Sequence, residues 1–221
     1  KIFSINNFDK LSSIILCDIF SLGIVDIKEV INIKENNETI IDHFIKNNCI
    51  GGLKFFLDNK FISKETFKVR NDFLLKDSNY LSKSIINGSY KMVELIGNSN
   101  LMTKDLFDWE NSEKENIIYI ASIYYYEDIL DYILNHKFFS YELIAKKNNY
   151  DQNLIMRLIS NNCAYLILVK ILEKCKEYEE ILNMRDSSDW NLLMYCCNHI
   201  SYYELINFFI LNNLIKDSDL L

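Results

Sequence analysis

Apolar residues fall at helical spacing along this chain in five phased stretches. Each opens on a small polar residue followed by aliphatics: Thr39-Ile40-Ile41, Asn79-Tyr80-Leu81, Asn116-Ile117-Ile118, Asn153-Leu154-Ile155 and Asn191-Leu192-Leu193. The starts lie 40, 37, 37 and 38 residues apart, a period that belongs to repeat architectures. Thr and Asn suit the opening position, because a side-chain oxygen there accepts from the unpaired N–H groups of the first helical turn. Two residues on, Ile41, Leu81, Ile118, Ile155 and Leu193 form one apolar column. Further along, Leu53, Val93 and Leu130 recur at matching positions, as do Phe56, Ile96 and Ile133, and both sets lie on one face of a second helix. Between the helices stand Asn47-Asn48, Asn87-Gly88 and Asn161-Asn162, residues that tolerate the left-handed backbone closing a helix. The pattern predicts helix, tight turn, helix in every repeat.

A second ladder follows without gaps: Phe61-Ile62-Ser63-x-Glu65-x-Phe67, Leu101-Met102-Thr103-x-Asp105-x-Phe107 and Phe138-Phe139-Ser140-x-Glu142-x-Ile144. A hydroxyl followed by an acid caps a short helix and complements its dipole, so an extra helical turn is expected here. The fourth and fifth repeats carry one- or two-residue insertions before their equivalents, Tyr178-Glu179-Glu180-Ile181-Leu182 and Ile215-Lys216-Asp217.

These motifs resemble the ankyrin repeat, whose consensus reads T-P-L-H-x-A-A, a turn with Gly, then a second helix ending in paired leucines. The stretch from Asn79 through Asn87-Gly88 to Ile96 and the pair Asn116-Ile-Ile-Tyr-Ile-Ala-Ser122 with Ile129-Leu-Asp-Tyr-Ile133 carry the likeness. The Asn/Ile/Lys-rich style, including residues 183–194, is similar to ankyrin proteins of large DNA viruses of amoebae. The resemblance implies an all-α, ankyrin-like helical-repeat solenoid of about five repeats across residues 36–221, with residues 1–35, including Gly23 and Ile27-x-x-Val30-Ile31, as a truncated repeat or N-terminal cap. It departs in its longer period, against about 33 residues for the usual unit, and in lacking the T-P-L-H proline and histidine. The loop that ankyrins spell G-A-D-x-N is replaced by the capped ladder, so the β-hairpin fingers are expected to be shortened or partly helical.

Composition changes the picture in three ways. Proline is absent and Ala and Arg are scarce, while Asn, Ile and Lys abound; an AT-rich genome accounts for that bias and weakens the missing proline as an objection. The net charge of −7 over 221 residues gives no basic footprint for nucleic acid. The apolar stretch from Leu11 to Val25 is interrupted by Asp18 and too short to span a membrane, and no secretory signal pattern precedes it. Six cysteines (17, 49, 163, 175, 196 and 197) lack paired CxxC spacing, which fits a reducing, intracellular setting. The chain opens at Lys1 and stops in mid-pattern, as a piece of something longer would.

Candidate functional residues are those that break the repeat. The position before each start reads Glu38, Ser78, Glu115, Gln152 and then Trp190, a surface row in which Trp190 is either a docking anchor or packed on its neighbour. Tyr124, Tyr125 and Tyr126 replace the Asn/Gly turn, as a contact patch or as packing between repeats with hydroxyls outward. Trp109 in a loop has the same two readings. Cys196-Cys197-x-His199 lacks a second ligand pair for zinc, so two buried thiols and a turn histidine are expected. His43 and His136 are expected as surface or interfacial residues and Glu177-x-Glu179-Glu180 as a solvated helix face, and the five glycines form no phosphate loop. No cofactor, metal or active site is implied. The expected role is non-catalytic protein binding through the concave face, as an adaptor; the alternative is a structural subunit of a large assembly such as a virion.

Overall fold

The computed structural model describes residues 38–67, 78–175, 178–198 and 202–215, with residues 18, 22, 23, 30 and 31. The expected N-terminal cap at 1–35 therefore lies almost wholly outside the described residues, as do Lys216 and Asp217. The chain forms two compact halves, Lys1–Ser112 and Glu113–Leu221.

The first repeat holds α1 (Ile40–Lys46), α2 (Ile50–Asp58) and α3 (Lys64–Phe67), and the second α4 (Tyr80–Ile86), α5 (Tyr90–Gly97) and α6 (Lys104–Phe107). The third holds α7 (Ile117–Ile123), α8 (Glu127–Leu134) and α9 (Glu142–Ala145). The fourth holds α10 (Leu154–Ser160), α11 (Tyr165–Leu172) and α12 (Tyr178–Asn183), and the fifth α13 (Leu192–Asn198) and α14 (Tyr203–Leu211). Among the described residues extended pairing is limited to single-residue bridges at Glu38, Ser78, Glu110 and Asn116, and α3, α6, α9 and α12 stand where hairpin fingers would be.

Capping chemistry sets the register. Asn79 accepts from Ser82 N at 2.8 Å, Asn116 from Ile118 N and Tyr119 N at 3.1 Å each, Asn153 from Met156 N and Asn191 from Met194 N at 3.0 Å each. Thr39 and Asp42 form a reciprocal capping box. Asn79, Asn116 and Asn153 act a second time. Their amide N–H groups donate to Leu106 O (2.6 Å), Leu143 O (2.5 Å) and Ile181 O (3.3 Å), 27, 27 and 28 residues downstream. One side chain thus fixes the start of the first helix and ties the short third helix of its repeat to it. In the turns, Asn48, Gly88, Tyr125 and Asn162 take φ of 53°, 67°, 58° and 55°.

The short-helix ladder holds on two rungs and fails on the third. Ser63 Oγ accepts from Thr66 N at 3.2 Å and Thr103 Oγ1 from Leu106 N at 3.4 Å. Tyr141, however, takes helical backbone angles ahead of α9 without capping it, and the Ser140 hydroxyl is buried with no hydrogen-bond partner among the described residues.

In the amino-terminal half α1 packs on α2 and α4, and α5 on α2 and α4. In the other half α7 packs on α8 and α10, α10 on α9 and α13, α11 on α14, and α13 on α12 and α14. The second-helix column Leu53, Val93 and Leu130 and its partner Phe56, Ile96 and Ile133 are wholly buried, as are Ile41, Ile118 and Ile155, with Leu81 nearly so. Leu193, in the last repeat, is only half-buried. Each such side chain contributes about 2 kcal/mol on burial, against about 1 kcal/mol for a cap. The apolar spine therefore supplies the stability, and the caps supply the phase.

Candidate functional site

In the carboxy-terminal half the residue before an N-cap asparagine meets the fourth residue of the next repeat's first helix. Arg157, on α10, reaches Glu115 at 2.9 Å and Glu113 at 3.3 Å, with its guanidinium 5.8 Å from the centroid of the Tyr119 ring. Burial and the adjacent Glu115 carboxylate raise the Tyr119 phenol above its ordinary value. One repeat on, Gln152 donates to the Tyr195 hydroxyl at 2.6 Å, and that hydroxyl donates to Asp186 at 2.6 Å. The other Asp186 oxygen accepts from the N–H groups of Ser188 and Trp190 at 2.8 Å each, which folds the loop ahead of α13. Burial alone would raise the Asp186 carboxyl, but these donors outweigh it and the net shift is downward.

The row expected on the surface is thus largely spent on pairing. Glu115 and Gln152 are engaged by the next repeat, Ser78 is buried, and Glu38 faces His43 and Lys46 of its own repeat. Trp190 differs: its ring meets Tyr195 edge-on at 5.7 Å and stays 37% exposed. It packs on Tyr195 of its own repeat on one side and faces solvent on the other. The network itself was not legible in sequence, because Arg157, Tyr195 and Asp186 become neighbours only when repeats stack.

The tyrosine turn lies at the opposite, C-terminal end of the first-helix row from Trp190, and the two do not form one patch. Tyr124 and Tyr125 are 47% and 54% exposed, Tyr126 is half-buried, and the Tyr124 and Tyr126 rings stack at 5.6 Å. Tyr125 Oη donates to Asn162 O at 3.3 Å. Trp109, the remaining candidate, is only 6% exposed, and its ring N–H has no partner among the described residues. It belongs to the interior, where a large apolar ring is best placed, and is corrected from surface candidate to core residue.

The other candidates resolve differently. His43 is buried beside Glu38 at 3.4 Å, and His136 is buried between the rings of Tyr132 and Phe138. Cys196 is buried, but Cys197 is exposed, which corrects the expected buried pair; His199 and Glu177 lie outside the described residues. Among the described residues, no three His, Cys, Asp or Glu side chains are grouped to hold a metal ion, and no helix is long and apolar enough to cross a membrane.

No family profile and no curated protein matches the chain. Among solved structures it is similar to EF0377, an ankyrin repeat protein, at 13% identity with a TM-score of 0.61, over 80% of this chain and 84% of that one. At that identity the likeness shows the fold, and the chain is an all-α, ankyrin-like helical-repeat solenoid.

Proposed function

We propose that the chain is a non-catalytic protein–protein interaction module of adaptor type, acting inside the cell through the first-helix face of its repeats. Ankyrin-like repeats commonly serve protein binding, and a stack of nearest-neighbour repeats offers an extended surface without needing an enclosed pocket. The observation that carries the reading is Trp190. Its indole meets Tyr195 edge-on at 5.7 Å and stays 37% exposed. Trp and Tyr dominate binding hot spots because they desolvate much area at little entropic cost.

A subunit of a large particle, such as a virion layer, is the second reading. Exposed aromatics at the separate tyrosine turn favour it, since one partner on the first-helix face would leave that edge open.

Affinity capture with quantitative mass spectrometry, run with the wild type and Trp190→Ala, tests the first reading. The variant is expected to lose its main partner at least tenfold, with a melting temperature within a few degrees of wild type. Equal recovery by both proteins would remove Trp190 as the anchor.

A further inference from the structure

The turn that joins first and second helices changes chemistry along the chain. In the amino-terminal half it reads Asn47-Asn48 and Asn87-Gly88, while the third repeat places Tyr124, Tyr125 and Tyr126 there. Tyr125 has φ +58°, a left-handed conformation that Asn and Gly accept and that is unfavourable for a bulky residue. An aromatic that remains 54% exposed at such a position offsets that cost only in part by burial.

The neighbouring turns continue the patch. Tyr125 Oη bonds to Asn162 O, and Tyr202 Oη donates to Cys163 O at 2.9 Å, so tyrosines of the third and fifth repeats both reach the turn of the fourth. Leu166 and Tyr203, next to these contacts in sequence, are 73% and 61% exposed. Among the described residues the charge on this edge is acidic up to its border at Lys170, and His199 of the fifth turn lies outside them. Residues 121–129, 160–169 and 202–214 contain no Lys, Arg or His, although the chain has 24 Lys and Arg, and they carry Glu127, Asp128 and Glu204. At its border Lys170 pairs with Asp131 at 3.0 Å and approaches Glu127 at 3.8 Å.

We propose that this edge is a docking surface for an arginine-rich peptide segment of a partner protein, with guanidinium groups stacked on the exposed tyrosines and paired with the adjacent carboxylates. Tyrosine faces attract cations through the ring quadrupole, and Arg adds planar stacking and bidentate pairing. The proposal rests on the reading of the chain as a binding module, but it uses a different edge from Trp190.

The test is fluorescence anisotropy with a labelled peptide of four Gly-Arg repeats. Tyr125→Asn restores the residue found at Asn48 and Asn162, so it should raise the urea midpoint while weakening the peptide at least fivefold. Glu127→Gln with Asp128→Asn should weaken it about tenfold and flatten its salt dependence. Two controls should bind as wild type: Asp58→Asn with Asp105→Asn, which removes equal charge in the other half, and Trp190→Ala, whose partner capture tests the other reading separately. Absence of binding to the wild type, unchanged affinity in Tyr125→Asn, or equal losses in both charge-neutralised pairs would each overturn the proposal.

Discussion

Asparagine recurs at three kinds of position in this chain because its short amide both donates and accepts. It opens first helices, it takes the left-handed turn at Asn48 and Asn162, and it closes second helices. There Asn59, Asn135 and Asn212 donate to the carbonyls of Phe55, Asp131 and Phe208 at 2.8, 2.8 and 2.7 Å. Part of the Asn richness is therefore structural as well as compositional. The left-handed sites were legible in sequence because that preference is local; whether Tyr125 lay open or packed was not, because burial depends on neighbours. The cysteines give a prediction at this scale. Burial pushes the Cys163 thiol up to about 11 and those of Cys175 and Cys196 up to about 12, from an ordinary value of 9.0. The unfolded chain ionises these thiols first, so their contribution to stability is complete below pH 9 and is lost as pH rises toward 12. Urea midpoints under reducing conditions should fall across that window, and a variant with all three changed to Ala should fall less steeply. Identical slopes would show that the thiols do not titrate as their burial requires.

Element by element, the repeat phase was readable because capping is decided within four residues of chain. The five N-caps and the two-helix repeat follow from that, as do the short third helices at the ladder positions. What the ladder could not disclose was which hydroxyl would find its amide. Thr103 caps α6, whereas the aligned Ser140 does not cap α9 and buries an unbonded oxygen. Thr103→Ala should therefore destabilise by about 1 kcal/mol, while Ser140→Ala should be neutral or slightly stabilising, since an unsatisfied buried hydroxyl carries a desolvation penalty. Chemical denaturation of the two variants side by side checks this, and equal losses would mean that Ser140 caps α9 after all.

For the whole molecule, stability is close to a sum over repeats and their interfaces, and a buried polar pair inside one interface can be isolated. Asp42 on α1 is almost fully buried and pairs with Lys83 on α4 at 2.5 Å. Lys83→Met should take away the cation facing that carboxylate, leaving it only its Thr39 capping bonds among those described, and cost about 3 kcal/mol. Adding Asp42→Asn should recover part of the loss, because the remaining group is then neutral. Hydrogen exchange in Lys83→Met should accelerate first in residues 38–67 and 78–107, the two repeats that share the pair; uniform acceleration throughout the chain would contradict nearest-neighbour energetics. By itself the sequence determined the repeat length, the helix starts, the left-handed turns and the apolar columns, because caps, turns and periodicity act over a few residues. Only the tertiary structure decided that Glu115 and Gln152 pair with the next repeat, that Trp109 is core, and that the tyrosine edge stands open. Those outcomes depend on residues about 40 positions apart, which become neighbours only once the repeats have stacked.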